Sequence, residues 1–205
     1  MKTLKNNKIK GFSLLELIIA MTITLILLGI ASTILTGAFN IRKSESQRTN
    51  ALISAQAALN LMTREIANCG YGIKDNGIVT TDSNQQKLRC RTNVRNNNSL
   101  TGESGEDLVY YYDAASRSII RHDRFDSPQN SVVMNNVNSL IFQYLNYSSS
   151  GSSQTITGTP TTGTGRIRIG IVVALENVSG QPANQAVTLI SDVTLRNSNY
   201  ILNYY

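Results

Sequence analysis

The residues best placed to do chemistry stand near the N-terminus, in the stretch Lys10-Gly11-Phe12-Ser13-Leu14-Leu15-Glu16. Gly11 offers a peptidase an uncrowded residue, and a cut after it would discard Lys2, Lys5, Lys8 and Lys10 while leaving the following apolar run on the product with Phe12 as its new first residue. From Leu17 to Ile41 there is no charged residue. A carboxylate inside such a run costs about 3 kcal/mol or more, so Glu16 requires a partner. The α-amino group created at Phe12 is a cation four positions away, and each charge is tolerable in an apolar setting only when paired.

Other reactive side chains are few. Cys69 and Cys90 lie 21 positions apart. A disulfide is the reading that export favours, and two unpaired buried thiols are the alternative. Two cysteines and the lone His122 do not make a zinc site, which needs four ligands at short paired spacings; no metal and no cofactor is expected. His122 sits among cations in Arg121-His122-Asp123-Arg124, where an exposed polar role is simpler than a catalytic one. The chain has no G-x-S-x-G and no P-loop, and its paired glycines at 70/72 and 163/165 stand alone, so no enzyme is expected. Arg89, Arg91 and Arg95 around Cys90, with Arg166 and Arg168, could face phosphates, but isolated arginines in a mixed-charge surface are poor evidence for nucleic acid.

These residues must be positioned by few elements. The run after Gly11 is long enough to span a hydrocarbon core, which takes roughly 20 residues. A secretory signal peptide would close a short apolar core with a small-residue site; here the run extends to about Ile41 and no such site ends it. Beyond Arg42 and Lys43, Leu52, Ala55, Leu59, Met62 and Ile66 recur at helical spacing and define an apolar face. One helix from Phe12 to about Asn68, on the order of 85 Å long, should end at Cys69-Gly70-Tyr71-Gly72. Gly29 and Gly37 are weak points in it, and proline is absent from it.

After Gly72 the pattern turns to period two. Residues 108–112 and 119–121 read as a hairpin, and 137–147, 166–176 and 186–196 as further strands. The Ser/Thr/Gly tract 148–165 reads as a flexible surface loop. The fold class is therefore α+β, with an antiparallel sheet packed on the amphipathic half of the helix.

Composition sets the outer bounds. With 205 residues, 41% hydrophobic and 16% charged, the chain suits one domain plus an anchor. The net charge of +6 is mostly local: without the four leader lysines, 15 basic side chains face 13 acidic ones, or +2. Lysines ahead of a span keep that end cytoplasmic.

The segment Lys10 to Glu16 resembles the leader and cleavage signature of type IV prepilins and of the related type II secretion pseudopilins. The resemblance implies that a prepilin peptidase cuts between Gly11 and Phe12, that Phe12 is N-methylated, and that Glu16, fifth in the mature chain, sets register with Phe12 of neighbouring subunits. Arg64-Glu65-Ile66 ahead of Cys69, the YYYD…SIIRHD hairpin, VNSLIFQYL and TLISDVTLRN are similar to the PilW class of minor pilins. This implies a leader 1–11, an assembly helix 12–41, an amphipathic helix 42–69 and a β-rich head 70–205 in the type IV pilin fold. It also implies a single-pass inner-membrane protein with its head in the periplasm, recruited with other minor pilins and the major pilin to the pilus tip. A minor pseudopilin of the J type, or a tip module that binds DNA or a surface, are the alternatives. The face of Leu52, Leu59 and Ile66 is expected to retain some recruitment when Glu16 is lost.

Overall fold

The computed structural model describes residues 11–95, 102–148 and 153–198. Its elements are a helix α1 (Leu14–Ala67), a 3-10 turn (Thr80–Asp82) and eight strands: β1 (Lys87–Arg91), β2 (Asp107–Asp113), β3 (Ser118–Asp123), β4 (Asn130–Met134), β5 (Val137–Tyr147), β6 (Gln154–Thr157), β7 (Thr164–Ala174) and β8 (Ala186–Thr194). The chain divides into two compact units, Met1–Glu45 with Val178–Gln181, and Ser46–Asn177 with Pro182–Tyr205.

In the first unit, α1 is apolar on all sides, and its large side chains from Leu14 to Ile41 are exposed. Its most apolar 18-residue window has a mean hydropathy of 2.5, and the helix is long and apolar enough to cross a membrane. Its threonine hydroxyls are satisfied internally. The hydroxyls of Thr22, Thr24, Thr33 and Thr36 donate to carbonyls three or four residues back at 2.8–2.9 Å, the arrangement that lets a threonine sit in hydrocarbon. The helix runs unbroken through Gly29 and Gly37, because neither is followed by a proline or a competing cap.

In the second unit the remaining turns of α1 bury Ala55, Ala58, Leu59, Met62 and Ile66 in one core with Tyr110, Ile119, Phe142, Tyr144, Ile167, Ile169 and Ile171. Leu52 stays 39% exposed, so the buried stripe starts a turn later than the periodicity indicates. Leu59 and Ile66, at 2% and 0% exposure, are consumed by this core. Recruitment of other subunits through them is therefore excluded, since a side chain packed inside its own unit has no surface left to offer.

The class is α+β with antiparallel pairing throughout. The strands form two four-stranded sheets, ordered β1-β2-β3-β4 and β6-β5-β7-β8, rather than a single one. The chain leaves the first sheet at Asn135-Asn136, where Asn136 adopts a left-handed φ of 59°, a conformation asparagine tolerates well. The hairpin, the 137–147 strand and the last two strands stand within two residues of their expected limits at every end. Strands β1, β4 and β6 are additions. The tract 148–165 is not all loop: Thr155, Ile156 and Thr157 pair with β5, and Asn146 Nδ2 donates to Thr157 Oγ1 at 2.9 Å. Three consecutive β-branched residues, Thr155 to Thr157, fit the sheet edge there, and Pro160 and Thr164 are buried. Residues 149–152 of the tract lie outside the described residues.

Past Ala67 the helix ends in a glycine turn. Gly70 and Gly72 have φ of +82° and +73°, and a Cβ on Gly72 would stand 2.5 Å from the Asn93 carbonyl, so only glycine fits. Asn197 Nδ2 donates to the carbonyls of Gly70, Ile73 and Asp75 at 2.6, 2.9 and 2.8 Å, and Arg196 N donates to Ala67 O. Cys69 is disulfide-bonded to Cys90 of β1, with a Cα separation of 5.5 Å. The Cys69→Ser/Cys90→Ser variant should lose about 3 kcal/mol of stability. The measurement is urea unfolding of the detergent-solubilised chain, followed by tyrosine near-ultraviolet dichroism because tryptophan is absent; an unchanged midpoint would reject the estimate.

Candidate functional site

At the N-terminal site the backbone from Gly11 to Ser13 is non-helical and exposed, and α1 begins at Leu14. Ser13 is the N-cap residue: its carbonyl accepts the Leu17 N–H at 3.2 Å. Its own N–H is donated to Glu16 Oε2 at 3.0 Å. A serine at the N-cap whose N–H is held by a glutamate three positions on forms half of a capping box. Helix formation thus stops just past the Gly11–Phe12 bond, which stands in open chain with Phe12 90% exposed. A Cβ on Gly11 would meet nothing within 4 Å, and its backbone does not lie in the left-handed region. The fold supplies no reason for glycine there.

The sequence carries the capping signature Ser13-x-x-Glu16 before an apolar run, and reading the carboxylate only as a buried charge overlooked it. Glu16 has two competencies: it can close the helix end, and it can pair with a cation. Gly11, Phe12 and Glu16 are brought together by sequence proximity alone. Cys69 and Cys90 belong to the other unit, where they tie the end of α1 to β1.

Two clusters of charged groups in the second unit bear on the first sheet. Under α1, Glu65 accepts Arg121 Nε at 2.9 Å and the Tyr110 hydroxyl, and Arg121 Nη2 reaches Asp123 at 3.4 Å. Burial, reinforced by the Glu65 carboxylate, pushes the Tyr110 phenol well above its ordinary value, so it remains a donor. On the outer face of the first sheet, Arg89 binds Asp107 through two bonds of 2.8 and 2.7 Å and also reaches Asp82. The Lys87 ammonium, bonded to Asp82, holds that carboxyl below its usual value.

The arginines considered for phosphate contact are mostly occupied. Arg89 and Arg91 share Asp107, Arg95 pairs with Glu103, and Arg168 makes a bidentate pair with Asp192. Arg166 Nε is buried without a hydrogen bond. His122 is half-buried rather than fully exposed, and its Nδ1 lies 2.7 Å from Asn130 Oδ1. Among the described residues no group of three His, Cys, Asp or Glu is placed to hold a metal ion.

Residues 6–32 match the family model of the prokaryotic N-terminal methylation motif. That segment contains Gly11, Phe12 and Glu16 and the first turns of α1, and it supports a prepilin-like chain of the pilin or pseudopilin type. With the apolar helix it fits membrane anchoring before assembly, processing by a prepilin peptidase, and a structural role. No curated protein and no solved structure matches the chain.

Proposed function

We propose that the chain is a minor pilin, stored in the inner membrane through α1 and incorporated with other minor pilins and the major pilin at the tip of a type IV pilus. One observation carries this reading: a glycine that the fold does not require stands in exposed, non-helical backbone immediately before an unbroken apolar helix, inside a matched methylation motif. The mature chain then begins at Phe12, the second unit faces the periplasm, and Glu16 meets the new terminal ammonium of its own or a neighbouring helix. The head patterns around Arg64-Glu65-Ile66 and the β2–β3 hairpin favour the PilW class. Intact-mass and N-terminal analysis of the membrane-extracted protein should show N-methylated Phe12, and Gly11→Val should accumulate the precursor because a branched side chain crowds the bond. A product that retains Met1, or begins beyond Ile41, would overturn the proposal.

A further inference from the structure

The antiparallel register of the first sheet places Arg89, Val109, His122 and Asn130 side by side on its outer face, with Lys87 and Tyr111 in the next row and Asp107 on the other side. Val109 is short and its neighbours on β1 and β3 are long, so a trough runs along β2. Its length from Asp107 to Tyr111 is about 13 Å at strand rise, and its volume is about 730 Å³. The half-buried Tyr111 stands at one end. The turn at Asn84–Gln86 adds two amides to one wall, and Asn130 adds one to the other.

We propose that this trough binds an acidic oligosaccharide. Three properties lead there. An aromatic ring beside hydrogen-bonding groups suits the apolar face and hydroxyl edge of a sugar, and the ring brings contact area with little rotamer entropy to lose. The polar lining is held in place before any ligand arrives: Arg89 is gripped by Asp107 and Asp82, Lys87 by Asp82, and His122 by Asn130, which lowers the ordering cost of binding. Charge is in surplus, because among the described residues Lys87, Arg89, Arg91 and Arg124 share Asp82 and Asp107 as their carboxylate partners. Arg124, 57% exposed and 3.8 Å from Asp107, has donors left for a ligand carboxylate, for which the guanidinium fork is shaped. Nucleic acid fits less well, since single strands are held by a row of rings on which successive bases stack, and the register of the outer face supplies the trough with Tyr111.

The inference stands on the β-rich unit alone and does not depend on the pilus assignment. The test titrates the full chain in detergent micelles with an oligogalacturonate, with its neutral oligogalactose counterpart, and with single-stranded DNA of similar length, reading saturation-transfer NMR and calorimetry. Saturable oligogalacturonate binding is expected, weaker by roughly tenfold for the neutral sugar and for Tyr111→Ala and Arg124→Gln, and retained in Tyr111→Phe. Variants with unaltered far-ultraviolet dichroism and urea-unfolding midpoint count as folded, because removing Tyr111 by itself changes the tyrosine near-ultraviolet signal. Absence of oligogalacturonate binding, tighter binding of DNA, or full affinity in folded Tyr111→Ala would each overturn the proposal.

Discussion

Glu65→Leu is expected to destabilise the β-rich unit by about 3 to 4 kcal/mol, because removing one member of a desolvated ion pair strands the other. Glu65 lies in the last turn of α1 and receives both the Arg121 guanidinium and the Tyr110 hydroxyl. Leucine would leave the phenol without an acceptor, and an unsatisfied buried donor costs about 1 to 3 kcal/mol by itself. Arg121 would keep only the longer contact to Asp123. The side chains of Arg121 and Glu65 are 16% and 22% exposed, so water reaches them slightly and the loss belongs in the lower part of the range for fully buried pairs. Glu65→Leu/Arg121→Met should recover the part owed to the stranded guanidinium, since two apolar residues of similar volume replace the pair, while the cost of the unsatisfied Tyr110 hydroxyl, about 1 to 3 kcal/mol, remains. With Arg121→Met and the parent chain, these two variants complete a thermodynamic cycle. A loss under 1 kcal/mol in the single variant would mean that this pair does not hold α1 to the first sheet.

Replacing Glu16 should separate anchoring from assembly, under the proposed pilin role. Glu16→Leu removes a charge from a spanning helix, which favours insertion by about 3 kcal/mol, so the protein should remain in the membrane. It also removes the acceptor for the Ser13 N–H, a capping loss of about 1 kcal/mol. Glu16→Gln retains that acceptor and removes only the charge. A buried ammonium at Phe12 without its carboxylate is penalised by several kcal/mol, more than the cap is worth. Both variants should therefore lose co-purification with the other minor subunits, and pilus number per cell should fall at matched protein level with cleavage after Gly11 verified. Full recruitment of Glu16→Gln with loss in Glu16→Leu would assign Glu16 to capping alone. Full recruitment of both would remove it from assembly. Residual recruitment cannot come from Leu59 or Ile66, which the core of the β-rich unit has already enclosed.

What could be read from the chain without coordinates was whatever depends on neighbours in sequence. The long helix follows from an apolar run that continues into an amphipathic one without proline, and helical order is local enough for spacing to reveal it. The β2–β3 hairpin follows from two apolar runs around Asp113, whose carboxylate closes the turn by accepting from Ala115 and Ser116. The N-terminal site is equally local: Gly11, Phe12, Ser13 and Glu16 lie within six consecutive positions, and even the cap that was overlooked is written as a serine and a glutamate three positions apart. Tertiary structure decided the rest, because it depended on residues distant along the chain. Strand β1 alternates Lys87, Arg89 and Arg91 with Leu88 and Cys90, and reads as an unpaired basic cluster until Asp82 and Asp107 arrive to offset part of its charge. Strand β6 hides in a serine- and threonine-rich tract, and pairs only because β5 presents an edge beside it. The grip of Glu65 on Arg121 joins positions 56 apart. The trough along β2 exists only where register sets a small valine between an arginine and a histidine, and pairing partners in a sheet are chosen by the whole core, which no single stretch of sequence contains.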